Sequence, residues 1–474
     1  MLDLADVVEG LTARRLAMPT PVITEATVDS RQVIPGALFV ALPGERADGH
    51  NFVSEAFRRG ASYAFIQHEL SESHAVIDLR TPLSEESLDL LARVPLCLRV
   101  ENTLTALQQV ASFWRRKLDL RIVGVTGSVG KSTTKEVIAE VLGQRYRTLK
   151  SPGNLNNEIG LPLTILHLGP GYQRAVLEMG FYVPGEISLL CEIALPQIGV
   201  VTNIGTVHAE RAGSQEAIVC GKTELVQALP PAPEGVAILN YDDPLVCSMA
   251  GKTKARVFFY GLNREADLWA DKVESLGLEG IRFRLHYQNE TLHARVPMIG
   301  QHSVHTALRA AAVGLVDGLT WQEIMNGLRS DHTQLRLVTV RSQCGALLLD
   351  DTYNASPEST LAALNLLSEL DGHKVAVLGD MLELGPYEKA GHELVGVRAA
   401  GIAERLVTFG ERGHMIAAAA RRAGLKSSRI VEFDSVEQIV DWLQHHLTKK
   451  DVVLVKGSHG IRMDRIVAAL EAQA

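Results

Sequence analysis

Short apolar runs rich in valine, isoleucine and leucine alternate with longer amphipathic segments along most of this 474-residue chain. Typical runs lie at residues 121–126, 175–178, 198–202, 375–378 and 452–455. Strands that alternate with helices are characteristic of α/β proteins with largely parallel sheets. A single hydrophobic core seldom serves more than about 250–300 residues. The sequence therefore predicts an α/β protein with more than one domain.

The character of these segments changes twice along the chain, which predicts three domains. Residues 1–99 mix short strands with glycine and proline turns and should form a small mixed α/β domain. Residues 100–330 begin with an amphipathic helix that ends near Lys117 and should form a central domain with a mostly parallel sheet. Residues 331–474 should form a Rossmann-like domain, although they lack the GxGxxG fingerprint of dinucleotide binding.

The charge balance argues against a general role in nucleic acid binding. The net charge is −8, and lysine and arginine never form a dense block. Such a chain has no positive field that would attract a phosphate backbone. We therefore expect no nucleic acid partner, and any phosphorylated ligand must be held by locally placed donors.

Cysteine usage and the N-terminal residues favour a cytoplasmic protein. The five cysteines are odd in number, widely spaced and never arranged as a CxxC pair, which favours reduced thiols. The start, Met-Leu-Asp-Leu-Ala-Asp, lacks the basic residues and apolar stretch of a signal peptide. No apolar run approaches membrane-spanning length, so we expect no membrane partner.

A phosphate loop opens the central domain. The strand at residues 121–126 leads into Gly-Ser-Val-Gly-Lys-Ser-Thr-Thr at 127–134, and an amphipathic helix follows. In this context glycines let backbone N–H groups converge on phosphates, Lys131 bridges them and Ser132 ligates Mg²⁺. Val125 replaces a glycine of the general pattern, so the loop is a shortened variant; the alternative is a Gly/Ser turn that only begins a helix. The predicted ATP-binding residues here are Thr126, Gly127, Ser128, Val129, Gly130, Lys131, Ser132 and Thr133.

The shortened loop, Thr-Gly-Ser-x-Gly-Lys-Ser/Thr, resembles that of the Mur ligase family, and the resemblance extends over nearly the whole chain. The N-terminal motifs at residues 29–31, 35–42 and 48–50 are similar to the module with which later members of the family hold a UDP-muramoyl substrate. The resemblance assigns Ser30 and Arg31 to that substrate. Two successive ligases share this module, so it does not decide between them.

Three other segments resemble the branch of the family that adds D-alanyl-D-alanine. They lie at residues 153–162, 350–357 and 379–385, and the Asp-Asn-Pro-Arg signature of the preceding ligase is missing. The resemblance implies an ATP-dependent ligase that joins D-alanyl-D-alanine to UDP-N-acetylmuramoyl-tripeptide through an acyl phosphate, in peptidoglycan precursor synthesis. The further substrate-binding residues that it implies are Asn154, Asn157, Tyr353 and Asn354.

Two more residues are assigned to Mg²⁺ by the resemblance. Glu178 closes an apolar strand, and His208 follows the next strand along the chain. Cations between ATP and a carboxylate reduce the repulsion of these two anions. The alternatives are a carboxylate that caps a turn and an ordinary histidine. With Ser132 and Lys222 these residues form the predicted metal site, and with Lys131 and Lys222 the predicted catalytic group.

Lys222 lies on the apolar stripe of its helix. The stripe contains Ile218, Leu225, Val226 and Leu229, which predicts that the lysine is buried. One interpretation is a lysine at a domain edge that extends its ammonium to water. The resemblance implies instead a lysine carbamylated by CO₂, because burial favours the neutral amine and the new carboxylate helps to hold Mg²⁺.

The resemblance completes the ATP site from the C-terminal domain with Arg336, Asp351 and Lys456, each of which could otherwise be a surface charge. Their role implies closure of this domain over the acyl phosphate. Ser303 and Thr306 stand where the family has asparagines, one of which contacts adenine. Thr306 remains a predicted ATP-binding residue, but purine recognition by this segment is expected to differ.

Two other functions remain open from the sequence. One is another ATP-dependent amide ligase of the superfamily, such as a folylpolyglutamate synthase, against which the UDP-type module argues. The other is a nucleotide-hydrolysing regulatory switch, which would not need the set of Glu178, His208 and Lys222. A monomer is expected. The sequence leaves open whether the tripeptide ends in diaminopimelate or lysine.

Overall fold

The computed structural model describes residues 1–16, 19–44, 47–84, 90–91, 93–206, 209–330 and 338–472. These residues contain three β-sheets, and the strands of each sheet fall inside one of the three predicted domain ranges. The strands in chain order are β1 (Ala26–Thr27), β2 (Leu38–Val40), β3 (Tyr63–Ile66), β4 (Val76–Asp78), β5 (Leu96–Arg99), β6 (Arg121–Thr126), β7 (Thr148–Lys150), β8 (Arg174–Glu178), β9 (Ile198–Val201), β10 (Val236–Asn240), β11 (Arg256–Gly261), β12 (Leu268–Ser275), β13 (Ile281–Tyr287), β14 (Glu290–Val296), β15 (Val338–Arg341), β16 (Leu347–Asp351), β17 (His373–Gly379), β18 (Arg405–Phe409), β19 (Ile430–Phe433) and β20 (Asp451–Lys456).

The α-helices of the described residues cover or flank these sheets. In chain order they are α1 (Leu4–Thr12), α2 (Val53–Arg58), α3 (Thr103–Lys117), α4 (Lys131–Gly143), α5 (Gly160–Leu166), α6 (Glu186–Ala194), α7 (Ala209–Ala212), α8 (Gln215–Gln227), α9 (Pro244–Cys247), α10 (Val304–Val316), α11 (Trp321–Leu328), α12 (Pro357–Glu369), α13 (Glu388–Ala400), α14 (Gly413–Arg422), α15 (Val436–His446) and α16 (Asp464–Leu470). None of these helices is both long and apolar enough to cross a lipid bilayer.

The N-terminal sheet has the strand order β1-β2-β3-β5-β4 and is parallel throughout. Helix α3 follows it and ends at Lys117, as predicted. Trp114 and Arg115 of this helix donate to the carbonyl oxygens of Leu168 and Ala194, both at 2.8 Å. The helix also shares one continuous hydrophobic core with the N-terminal sheet and the central domain, and so connects the two.

The central sheet has the order β14-β13-β12-β11-β10-β9-β6-β8-β7. Its neighbours from β7 to β12 pair in parallel, and β13 and β14 extend it as antiparallel strands. Strand β6 lies between β8 and β9, with five of its six residues buried. The carboxyl ends of parallel strands are the usual position of a ligand site in such a sheet, and the loop after β6 lies at this edge.

The C-terminal sheet has the order β15-β16-β20-β17-β18-β19, with β15 antiparallel and the other neighbours parallel. Helices α12 to α16 supply apolar side chains to the two clusters that lie against it. The predicted α/β class with three domains, mostly parallel sheets and a Rossmann-like C-terminal sheet is therefore confirmed. The residue limits proposed for the domains remain predictions.

Candidate active site

The phosphate loop, residues 127–133, depends on glycine at two positions. Gly127 has φ +141°, and a Cβ atom there would lie 1.9 Å from Thr202 Oγ1. Gly130 has φ +83° and directly precedes α4. Side chains would clash at the first position and strain the backbone at the second. The loop thus has the strand, glycine turn and helix that the sequence predicts.

The end of β9 holds this loop in place. Thr202 Oγ1 donates to Val129 O at 2.7 Å, and Asn203 Oδ1 accepts from Val129 N at 2.9 Å. Asn203 Nδ2 also donates to Val129 O at 3.1 Å. Thr202 and Asn203 were not among the residues predicted from the sequence. The available signal was two polar residues directly after a strand that neighbours β6.

Lys131 folds over the loop that contains it. Its Nζ donates to the carbonyl oxygens of Gly127 at 2.8 Å and of Ser128 at 3.3 Å. The ammonium therefore lies on the loop face to which nucleotide phosphates bind in proteins with this motif.

The predicted metal residues Ser132 and Glu178 meet at the loop. Ser132 Oγ donates to Glu178 Oε2 at 2.6 Å, and Asn156 Nδ2 donates to Glu178 Oε1 at 2.9 Å. Glu178 is only 1% exposed, at the end of β8. A hydroxyl and a carboxylate are ligands that Mg²⁺ accepts, so these residues fit the ion. His208 lies outside the described residues. Asn156 was missed, although its neighbours Asn154 and Asn157 were predicted as substrate residues.

Lys222 is buried, as the helical pattern predicts, with 1% of its surface exposed. Its ammonium lies 4.8 Å from the centre of the Phe181 ring. A Cβ atom on Gly221 would lie 1.9 Å from that ring, so glycine beside the lysine allows Phe181 to pack there. Burial, and then the charge of Lys131, hold the pKa of Lys222 well below its ordinary value. This enclosure argues against a lysine that extends to water.

A cavity of about 380 Å³ separates the phosphate loop from the C-terminal domain. Tyr353, Asn354 and Thr306, all predicted ligand residues, belong to its wall. Asp351 and Lys456 also line it, and they are register partners on β16 and β20. The two domains therefore face each other across one site.

The ion pair of the C-terminal domain is internal. Lys456 Nζ donates to Asp351 Oδ2 at 2.7 Å and to Asn354 O at 2.8 Å. Lys456 is only 2% exposed, so it is not a surface charge. Arg336, which was predicted to act with this pair, lies outside the described residues.

The altered segment that contains Ser303 and Thr306 also borders the cavity. Ser303 Oγ donates to Ile299 O at 2.7 Å, and Thr306 Oγ1 accepts from Arg309 Nη2 at 2.8 Å. His305 Nε2 lies 2.9 Å from Asp242 Oδ2. Both hydroxyls that replace the expected asparagines therefore have protein partners.

The predicted substrate residues of the N-terminal domain lie apart from this cavity wall. Ser30 Oγ donates to Glu55 Oε2 at 3.3 Å. Arg31 pairs with Asp29 at 2.7 Å while 79% of its side chain stays exposed, and its hydrogen bonds lower the pKa of Asp29 to about 2. The Arg31 guanidinium is thus held in position yet open to a ligand.

Asn154 and Asn157 lie in the loop between β7 and α5, also outside the cavity wall. Both residues are exposed. Asn157 Oδ1 accepts from Gly160 N at 2.9 Å and so supports the beginning of α5. Lys135 anchors the same loop, because its buried Nζ donates to Ser151 O at 2.7 Å and to Gly153 O at 2.9 Å.

Glu358 joins the C-terminal domain to the central domain. Its Oε1 accepts from Thr206 N at 3.1 Å and from Thr206 Oγ1 at 3.3 Å. The adjacent Gly205 N donates to Ser128 Oγ at 2.8 Å, so the contact continues into the phosphate loop. Sequence reasoning did not identify Glu358, whose partner is 152 residues away. The contact gives the predicted domain closure a structural basis.

Comparison with known proteins follows the same three-part division. The chain matches three family models, for the Mur ligase family catalytic domain over residues 22–115, the Mur ligase middle domain over 125–314 and the Mur ligase glutamate ligase domain over 335–459. It is 35% identical over 476 residues to a UDP-N-acetylmuramoyl-tripeptide–D-alanyl-D-alanine ligase of Bacillus subtilis (strain 168), covering 99% of this chain and 97% of the relative. The chain belongs to the Mur ligase family.

Two solved MurF structures have the same fold as this Mur ligase. A crystal structure of MurF from Acinetobacter baumannii superimposes with a TM-score of 0.82 at 29% identity, covering 98% of this chain and 97% of that one. MurF from Thermotoga maritima, solved in complex with ADP, gives a TM-score of 0.78 at 28% identity, covering 95% and 98%. The likeness extends over all three domains of this Mur ligase.

Proposed function

We propose that this chain joins D-alanyl-D-alanine to UDP-N-acetylmuramoyl-tripeptide while ATP is cleaved to ADP and phosphate. The observation that carries the proposal is the meeting of the phosphate loop, Glu178 and the Asp351–Lys456 pair at one interdomain site. The substrates are taken from the Bacillus subtilis relative, whose match covers nearly the whole chain.

The reaction has two steps. An oxygen of the tripeptide's terminal carboxylate attacks the γ-phosphorus, and the bond to the β-phosphate oxygen breaks. The loop N–H groups and Lys131 stabilise the negative charge that develops on the phosphoryl oxygens. The amine of D-alanyl-D-alanine then attacks the acyl carbon and loses a proton, and phosphate leaves with the electron pair of the C–O bond.

Ser132, Glu178 and His208 would hold Mg²⁺, which supplies charge neutralisation between the triphosphate and the carboxylate. Ser132 and Glu178 already share a hydrogen bond, so both oxygens point to one place. Lys222 would join this set as a carbamate formed with CO₂. Its burial and its position near the charge of Lys131 favour the neutral amine that reacts with CO₂.

Closure of the C-terminal domain should separate the acyl phosphate from water until the amine attacks. The contact between Glu358 and Thr206 supports this role, because it connects the C-terminal domain to the strand end that holds the phosphate loop. An acyl phosphate that met water first would be hydrolysed without product, so closure favours coupling.

The other two functions are less well supported. A folylpolyglutamate synthase would have no use for the N-terminal UDP-type module, and the match to the D-alanyl-D-alanine ligase includes that module. A regulatory switch would not need a buried lysine beside a metal site. We propose a cytoplasmic location, since UDP-linked precursors are made there, and the monomer remains a prediction.

Phosphate release with each substrate omitted in turn tests the proposal. We expect release only when the UDP-muramoyl tripeptide, D-alanyl-D-alanine, ATP and Mg²⁺ are all present, because closure couples phosphoryl transfer to amide formation. Equal ATP turnover without either acceptor would support the switch. Release with folate and glutamate in place of these acceptors would support the other ligase.

A further inference from the structure

Arg309 is a buried cation on the wall of the nucleotide cavity that neither the family motifs nor the proposed mechanism uses. It lies on α10 and is 4% exposed. Its Nη2 donates to Thr306 Oγ1 at 2.8 Å, while its Nε is buried without a hydrogen-bond partner. Among the residues that the structure describes, no carboxylate forms an ion pair with this guanidinium.

The guanidinium lies beside the phosphate loop. Its Nη2 would be 3.8 Å from a Cβ atom on Gly130, the residue that directly precedes α4. The ring of Tyr260 lies below it, 5.9 Å from the guanidinium carbon. Burial raises the pKa of Tyr260 to about 12, so this neighbour is a neutral phenol and supplies no compensating charge.

An uncompensated charge in a protein interior is costly, and buried arginines are normally paired with an anion. Here the cavity that Arg309 lines is the one that the phosphate loop borders, so a ligand can provide the anion. A guanidinium has donors only and matches phosphate oxygens in a planar fork. It cannot accept from the amino group of adenine, which makes phosphate the better partner.

We propose that Arg309 binds a phosphate oxygen of the nucleotide beside Gly130, as a third cation of the site together with Lys131 and Lys456. The hydrogen bond to Thr306 orients the Arg309 guanidinium towards the cavity. Thr306, which stands where the family has an asparagine, would therefore be a positioning residue. The inference rests on the proposed function only in taking a nucleotide as the ligand. It does not depend on which acceptors are joined.

Binding of ADP and adenosine to Arg309→Gln and Arg309→Lys tests the inference, with no acceptor substrate present. ADP affinity is measured by calorimetry, and adenosine affinity by competition against a fluorescent ADP analogue. Loss of one charge-assisted contact to phosphate should weaken ADP binding about 10- to 100-fold in Arg309→Gln. Adenosine binding should stay within twofold of the unaltered protein. The lysine variant should lose less ADP affinity than the glutamine variant because it keeps the charge.

Arg116→Gln is the matched control, since Arg116 is exposed on α3 and does not line the cavity. Retained adenosine binding shows that the Arg309 variants are folded. ADP affinity in Arg309→Gln within twofold of the control would overturn the inference. An equal loss of ADP and adenosine would also overturn it, because the contact would then be to the nucleoside. Failure of ligase activity in the unaltered protein would reject the proposed function and leave this test intact.

Discussion

Glu358→Ala should weaken closure of the C-terminal domain without removing any residue of the phosphate loop. The carboxylate accepts from both the backbone N–H and the hydroxyl of Thr206, across the domain boundary. Glu358 also lies in the first turn of α12, where the helix dipole favours a negative charge. Its loss leaves the Thr206 donors to be satisfied by water.

The expected loss of free energy of domain closure follows from the two hydrogen bonds between Glu358 and Thr206. A hydrogen bond to a charged group stabilises by roughly 1.5–3 kcal/mol. Because Glu358 is only partly buried, we take the lower end for each, or about 3 kcal/mol in total. At 1.4 kcal/mol per factor of ten, the closed arrangement becomes about 100-fold less favourable. Glu358→Gln retains one carbonyl acceptor for Thr206, so it should lose about tenfold.

Steady-state kinetics with the UDP-muramoyl tripeptide and D-alanyl-D-alanine measures this effect. We expect kcat/KM for the ligation to fall by these factors and ADP affinity to fall less, because the phosphate loop stays intact although Glu358 borders the same cavity. Glu404→Ala is the control, because Glu404 forms an exposed pair with His373 in the same domain. Equal kcat/KM in Glu358→Ala and this control would show that the Glu358 contact does not stabilise closure, and so would an ADP affinity that falls as far as kcat/KM.

Three further predictions concern single sites. Lys222 should carry a carbamate, detectable by ¹³C NMR after incubation with ¹³CO₂. Lys222→Ala should lose most activity, keep UDP-substrate binding and recover part of the rate when a short carboxylic acid is added. An unmodified amine in a catalytically competent complex would exclude the carbamate. Because Ser303 and Thr306 replace asparagines, the ratio of kcat/KM for ATP over GTP should be smaller than in a relative that retains both asparagines, and an equal ratio would show that other residues read the base. Burial lowers the pKa of His50, whose Nε2 accepts from the Gln67 N–H at 3.0 Å. As the pH falls through the ordinary pKa of histidine, the unfolded state gains a proton that the folded state resists, so the stability of the fold decreases on acidification. The thermal unfolding temperature of His50→Gln should therefore depend less on pH between about 7 and 5.

Sequence reasoning succeeded where the relevant residues are close together in the chain or follow a helical period. The phosphate loop is one strand, one turn and one helix, and its glycines are required by the local backbone. Burial of Lys222 follows from the apolar stripe of a single helix. Asp351 and Lys456 were assigned to the ATP site only through the family resemblance, and the fold shows that they are paired at the ends of neighbouring strands.

The residues that the sequence did not reveal are those defined by packing between distant elements. Arg309 reads as an ordinary polar residue in an alanine-rich helix, and only the fold places it beside Gly130. Glu358 looks like a favourable residue in the first turn of a helix, and its partner lies in another domain. Asn156 was passed over between two neighbours, because pattern alone does not tell which side chain of a loop faces Glu178.

The fate of the carboxylate oxygen tests the central claim that this site activates a carboxylate by phosphorylation. The measurement uses tripeptide substrate labelled with ¹⁸O in its terminal carboxylate, with mass analysis of the released phosphate and of the amide product. We expect one ¹⁸O atom in each phosphate, formed in equal amount with a product that contains D-alanyl-D-alanine. Phosphate without ¹⁸O would mean that water attacks ATP directly, and it would contradict the assignment of this chain as an amide ligase.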